Sequence, residues 1–249
     1  MPAAIEVEGL HRRYGDTVAV DDVSFEVRHG EIFGVLGPNG AGKTTTVEIV
    51  AGLRRADRGR VRVLGLDPER DRSALRRVLG VQLQRAALHG ALKVHELVTL
   101  FRSFYPRGRD PDELMRSLGL DEQRDTRFDD LSGGQQQRLS IALALVGDPR
   151  VTLLDELSTG LDPEARRGIW RLVEDLRDQG VTIVLVSHQL EEVERLCDRV
   201  AVLDRGRVVA LDRPDGLAAA AGLPPSASLE DAYLALTSRT TTDADGGRR

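Results

Sequence analysis

The segment Gly37-Pro38-Asn39-Gly40-Ala41-Gly42-Lys43-Thr44 fits the pattern G-x-x-x-x-G-K-[ST], and no other stretch restricts the possible folds as tightly. The pattern has structural meaning only between a strand and a helix. Here Glu31 to Leu36 reads as a strand and Thr45 to Leu53 as a helix, so that context is met. Glycines let the backbone approach phosphate oxygens, and successive N–H groups form an anion nest. Lys43 then reaches the outer phosphates and Thr44 offers a hydroxyl to Mg2+. Lys43 is one of two lysines in a chain otherwise supplied with arginine, so a compact ammonium at this place is not general surface decoration.

A second stretch, Leu131 to Leu161, reads L-S-G-G-Q-Q-Q-R, an apolar helical run, and V-T-L-L-D-E-L-S-T-G-L. Ser132 and Gln135 have the spacing of a capping box, which predicts a helix starting near Gly133 with free backbone N–H groups. Leu139, Ala142, Leu143 and Val146 fall on one face of it, and Asp148-Pro149 ends it. Val151 to Leu154 then reads as a short buried strand that ends in two adjacent carboxyls, Asp155 and Glu156.

The phosphate loop, L-S-G-G-Q at Leu131 to Gln135, L-L-D-E at Leu153 to Glu156, T-G-L-D at Thr159 to Asp162 and V-S-H at Val186 to His188 occur in the order of the ATP-binding cassette family, which the chain resembles over nearly its whole length. The resemblance implies an α/β fold: a P-loop NTPase core with a mainly parallel sheet, an N-terminal antiparallel β subdomain and a small helical subdomain. It implies an ATP-binding domain over 1–236, with the helical subdomain at about 85–148. It also implies an ATPase whose cofactors are ATP and Mg2+. Tyr14 would stack on adenine, while Gly37, Pro38, Asn39, Gly40, Ala41, Gly42, Lys43, Thr44 and Thr45 hold the phosphates. Ser132, Gly133, Gly134 and Gln135 of a second copy would close over the same ATP. Glu156 would activate the attacking water, His188 would sense the outer phosphate, and Gln84 would reach both metal and water, with Gln82 as a weaker candidate. Thr44, Gln84 and Asp155 would hold Mg2+. The implied partners are transmembrane permease subunits and a second copy of the chain, which would sit on the cytoplasmic face of the membrane through the permease.

At 249 residues with 41% hydrophobic content, the chain can bury a large core. A net charge of -5 gives no footprint for nucleic acid. The apolar runs Ile141 to Val146 and Val181 to Val186 are far too short to span a bilayer. Cys197 is the sole cysteine, so neither an internal disulfide nor a cysteine metal cluster is expected.

Ile5 and Val7, then Val23, Phe25 and Val27, then Val61 and Val63 alternate with polar residues as half-buried antiparallel strands do. Arg70 to Leu79 has helical character, and Gly80 to Gln84 reads as a strand framed by two glutamines. Leu97, Leu100, Phe101 and Phe104 form one helical stripe, and a second helix is expected over Asp112 to Leu118. Asp162-Pro163 opens a helix with the buried positions Ile169, Leu172, Val173 and Leu176, closed by Gly180. Val181 to Val186 delivers Ser187 and His188 to the carboxyl end of the sheet. Arg199 to Leu203 and Arg207 to Leu211 form a hairpin, Leu229 to Leu236 a short helix, and 237–249 a polar tail expected to be disordered.

Three functions fit such a chain. They are the ATPase of an exporter or importer, a soluble cassette ATPase of DNA repair or translation, and a regulatory nucleotide-binding module. The second usually brings a coiled-coil insertion or tandem cassettes, and the third predicts a missing catalytic group; neither pattern is present. L-E-D-A-Y-L-A-L at Leu229 to Leu236 and the block Gln189 to Ala210 resemble the drug and antibiotic exporter branch. One departure stands out: the family usually has proline and threonine after the paired acids, where this chain has Leu157-Ser158. A proline at 157 is expected to stiffen the turn and to be tolerated.

Overall fold

The computed structural model describes residues 3–83 and 88–245, with side chains described as far as residue 238. Its elements are β1 (Ile5–Tyr14), β2 (Thr17–Val27), β3 (Ile32–Leu36), α1 (Lys43–Val50), β4 (Arg58–Val63), α2 (Arg72–Leu75), β5 (Leu79–Gln82), α3 (Val94–Ser103), α4 (Pro111–Ser117), α5 (Gly133–Leu145), β6 (Val151–Asp155), α6 (Pro163–Asp178), β7 (Thr182–Ser187), α7 (Leu190–Leu196), β8 (Arg199–Asp204), β9 (Arg207–Asp212), α8 (Leu217–Ala220) and α9 (Leu229–Asp245). Two sheets form, a three-stranded one in the order β2-β1-β4 and a six-stranded one in the order β5-β6-β7-β3-β8-β9. The first is antiparallel throughout. The second is parallel except for β9, which returns antiparallel beside β8.

The large sheet is buried on both faces, which is why its strands read as continuous apolar runs. In β3, Ile32 and Leu36 point into one core, and there they meet Leu154, Ile183, Leu185, Val200 and Val202. Phe33 and Val35 point the other way, toward Val47 and Val50 of α1 and toward Ile5, Val7, Phe25 and Val27 of the small sheet. Phe25 and Phe33 stack across that second core with ring centroids 5.2 Å apart. The first core carries the helical subdomain, with Leu114, Met115, Leu139 and Leu143 packed on it. Both cores share β3, as they do β6, β7 and β8, so the loop after it leaves from a strand held on both faces.

Several boundaries differ from the sequence expectation. The helix expected over Arg70 to Leu79 is only the single turn α2, because Leu79 enters β5 and pairs with Val151. The stripe on α3 is turned: Val94, Leu97 and Val98 are buried, while Leu100 and Phe104 are 43% and 65% exposed. The last helix does not stop at Leu236 but runs to Asp245, so 237–245 is helical rather than a disordered tail. No glycine or proline interrupts the chain before Gly246, and the Thr237 hydroxyl donates to Tyr233 O at 2.9 Å, so a polar side chain is satisfied within the helix.

Leu157 also departs from expectation. It is fully buried in the first core rather than lying on a free turn. The residue before it, Glu156, has φ of 52°, in the left-handed region that a following proline disfavours. Proline at 157 would therefore remove a packed side chain and restrict Glu156 at once. Leu157→Ala should destabilise the chain by about 2 to 5 kcal/mol, and Leu157→Pro by no less. Urea unfolding of both variants against the parent checks this.

Candidate functional site

The carboxyl ends of β3, β6 and β7 lie side by side, with Leu36 level with Ser187 and Asp155 level with Val186. Loops beyond such ends are where open α/β sheets take ligands. The loop after β3 is shaped by two close approaches. A Cβ on Gly37 would lie 2.2 Å from Leu203 O, and one on Gly42 would lie 2.3 Å from Ala19 O. Gly42 also has φ of 96° and stands at the N-cap of α1 without any side-chain cap. The backbone N–H groups of Gly42, Lys43, Thr44 and Thr45 consequently donate to nothing else among the described residues. They form the positive end of α1, a place suited to an anion.

Lys43 is buried, and its Nζ donates to Gly37 O at 2.7 Å and to Pro38 O at 3.0 Å. An ammonium has three protons, so one is left for an incoming anion. Burial pulls the Lys43 pKa down, while Glu156 and Asp155 oppose that fall. Thr44 and Asn39 are exposed at the rim of the loop, and Thr45 is half-buried.

Asp155, 2% exposed, has its pKa pushed up to about 6, first by burial and then by the charge of Glu156, with Lys43 pulling the other way and Glu48 adding to the rise. Two carboxyls thus face one ammonium. Such a deficit of positive charge fits a divalent cation, for which Thr44 supplies a hydroxyl and Asp155 a carboxylate. Among the described residues no group of three or more His, Cys, Asp or Glu could hold a metal ion by itself.

Glu156 is held in its left-handed conformation by a bond from its N–H to Val186 O at 2.9 Å. Its Oε1 lies 3.3 Å from His188 Nδ1. With a proton on Nδ1 the imidazole donates to Glu156 and leaves Nε2 facing outward. The structure therefore joins the phosphate loop, Asp155, Glu156 and His188 in one place.

The glutamines divide. Gln84 lies outside the described residues. Gln82 is buried as a brace: its Oε1 accepts from Asp155 N at 3.1 Å and its Nε2 donates to Leu83 O at 3.1 Å. Sequence reasoning gives Gln82 no such task, and only its inward place in β5 could have shown it. Tyr14 is half-buried, with the guanidinium of Arg12 4.7 Å and that of Arg54 5.6 Å from its ring centroid. A base stacking there would share the ring with these cations.

Ser132, Gly133, Gly134 and Gln135 form the expected capping box at the start of α5. Ser132 Oγ accepts from Gln135 N at 3.3 Å, and Gln135 Oε1 accepts from Ser132 N at 2.9 Å. The Gln135 N–H is thereby satisfied, which leaves Gly133 and Gly134 as the open donors of the turn. This turn packs beside Leu161 and Ala165. No hydrogen bond or ion pair among the described residues joins it to the phosphate loop of its own chain. Asp162 caps α6, accepting from Glu164 N and Ala165 N at 2.9 Å each, and those bonds hold its pKa below the usual carboxylate range.

Comparison with known proteins bears on this arrangement. The sequence pattern of the family described as ABC transporter matches residues 20–159. Nod factor export ATP-binding protein I of Rhizobium johnstonii is 40% identical over 221 residues, covering 87% of this chain and 71% of that protein. A solved ATP-binding subunit of an ABC transporter superposes with a TM-score of 0.84 at 28% identity, covering 94% of this chain and 99% of its own. A bacterial ABC transporter cassette solved as a dimer superposes with a TM-score of 0.75 at 26% identity, covering 84% of this chain and 98% of its own.

The raised pKa of Asp155 gives a prediction for the metal-free, nucleotide-free protein. Folding a charged Asp155 is unfavourable above pH 6, and this cost disappears as pH falls through about 6 toward the unfolded value of 3.8. Asp155→Asn should therefore melt at a higher temperature than the parent at pH 8 in EDTA, and the difference should shrink by pH 5. Thermal melts at the two pH values measure it.

Proposed function

Because the chain belongs to the ABC transporter family and is an ATP-binding, ATP-hydrolysing cassette of it, we propose that it powers an exporter of the drug and antibiotic type, as the ATPase subunit beside separate transmembrane permease subunits. The observation that carries the mechanism is the separation of the Ser132–Gln135 turn from the phosphate loop of its own chain. Each surface presents open N–H groups that have no acceptor among the described residues, so both can donate to one polyanion. Two copies arranged head to tail satisfy both, with the Gly133 and Gly134 donors of one closing over ATP on the other. The dimeric form of the solved bacterial cassette supports this arrangement.

Phosphoryl transfer to water asks the protein for positioning and charge stabilisation. Lys43 and the amides of Gly42 to Thr45 hold the outer phosphates. Thr44 and Asp155 would hold Mg2+, with Gln84 as the third group. When bound, Mg2+ offsets negative charge that develops on the phosphoryl oxygens. Glu156 takes the proton of the attacking water, and His188, whose Nδ1 lies 3.3 Å from the Glu156 carboxylate, would sense the outer phosphate. Tyr14 carries the base.

No helix among the described residues is long and apolar enough to cross a membrane. Leu53, 58% exposed after α1, lines a cleft of about 430 Å³ together with Phe101 and Tyr105, and Phe104, 65% exposed at the end of α3, has its ring centroid 5.7 Å from that of Phe101. That apolar rim is the seat for a permease segment on the cytoplasmic face of the membrane. The name of the Rhizobium relative supports export as the direction of transport. The L-E-D-A-Y-L-A-L helix supports the drug and antibiotic branch.

Two variants test the assignment. Lys43→Ala should weaken ATP binding by about 10- to 100-fold, the worth of a hydrogen bond from a charged donor, as read by isothermal titration. Glu156→Gln should bind ATP as the parent does, form an ATP-dependent dimer in size-exclusion chromatography, and lose about 10^2- to 10^4-fold in kcat. Equal affinity in the first, or a parental rate in the second, would remove the residue from its role.

A further inference from the structure

Two residues beyond Glu156 the same loop is tied to α7 a second time, and this tie is buried. Ser158, 2% exposed, donates its hydroxyl to Glu192 Oε1 at 2.7 Å. That oxygen also accepts the indole N–H of Trp170 at 3.2 Å. Gln189 Oε1 lies 3.2 Å from Ser158 Oγ, but a hydroxyl has one proton and the shorter contact takes it. Glu192 is 1% exposed. Carboxyls are rarely placed so deep, and the nearby arginines are engaged elsewhere: Arg166 with Glu191 and Arg195 with Glu174. Glu192 thus spends a costly burial on gathering donors from the loop and from α6 onto α7.

We infer that Glu192 is a positioning residue for ATP hydrolysis: by anchoring Ser158 to α7 it fixes Glu156 against His188. The inference rests on the reading of Glu156 as the base. His188 stands just before α7 and Glu192 within it, so Glu156–His188 and Ser158–Glu192 are two rungs between the same two segments. The outer rung is weak alone, because His188 is 42% exposed and water competes for it. Glu156 is also strained at φ of 52°, a conformation that persists only where its surroundings over-determine it. The Val186 carbonyl holds Glu156 from the amide side, and the Ser158 anchor holds it from the other. The sequence departs from its family at Leu157-Ser158, yet Ser158 keeps the hydroxyl that the usual threonine would supply, which is the group Glu192 uses.

Trp170 is the only tryptophan, so its emission reports directly on the Glu192 contact. In the full chain, Glu192→Ala should shift Trp170 emission and lower kcat about 10- to 100-fold, the usual loss when a catalytic group is misplaced by about an ångström, with KM for ATP little changed. Glu192→Gln keeps an acceptor oxygen and should recover most of both signals. Ser158→Ala leaves the Glu192–Trp170 contact in place, so it should lower kcat with Trp170 emission unchanged, and Ser158→Thr should restore the rate. Parental kcat in Glu192→Ala or in Ser158→Ala overturns the inference, as does a loss of rate that Ser158→Thr fails to restore. If Glu192→Ala does not fold, the Ser158 pair decides. Glu156→Gln is assayed alongside: a parental rate there brings down the base assignment and this inference with it, whereas an inactive Glu156→Gln beside an active Ser158→Ala brings down this inference alone.

Discussion

Lys43 sits where a single buried ammonium must serve a loop of carbonyls and two carboxyls together. It donates to Gly37 O and Pro38 O, which closes the loop on itself, while Asp155 and Glu156 act on it through space. Burial first, and then the charge of Glu156, push the Asp155 pKa up to about 6. In the mechanism proposed above, a polyanion and a divalent cation together would answer both halves of this site. Much of the remaining structure serves to hold this arrangement still.

The double core explains how it is held. β3 contributes side chains alternately to the two hydrophobic layers, so the loop that follows it cannot shift without disturbing both. Gly37 against Leu203 O and Gly42 against Ala19 O press the loop between β8 and β2. On the far side of the sheet, Gln82 fixes the amide of Asp155 and Val186 fixes that of Glu156. The helical subdomain packs on one core only, and no hydrogen bond or ion pair among the described residues joins its α5 turn to the phosphate loop. In the head-to-tail dimer proposed above, a half-site held in this way would be completed by the second copy, which would couple chemistry to assembly.

Some of this is legible in the amino-acid sequence. The phosphate loop, the paired acids at the end of β6 and the histidine after β7 each follow from a short strand, a breaker and a chemistry-bearing residue in order. Local grammar is enough for that. The Ser132–Gln135 capping box is equally plain, because both partners lie within one helical turn. The stripe on α3 misleads at Leu100 and Phe104, since periodicity shows that a helix has an apolar face but not whether its own chain covers that face. The length of α9 is hidden by its polar composition, which outweighs a subtler signal, the absence of any breaker before Gly246.

By itself, then, the sequence determined which residues stand at the strand ends and in what order, because turn geometry, capping and strand termination act over a few neighbouring residues, while the reaction class came with the resemblance of its motifs to the ATP-binding cassette family. What only the tertiary structure decided are the contacts between residues far apart in the chain: Gln82 with Asp155, Glu156 with His188, and Ser158 and Trp170 on Glu192. Leu157 belongs with these, a residue that reads as a loose turn and proves to be core. Each depends on the register of parallel strands and the packing of α6 on α7, which the three-dimensional arrangement of the two cores sets and no local spacing encodes.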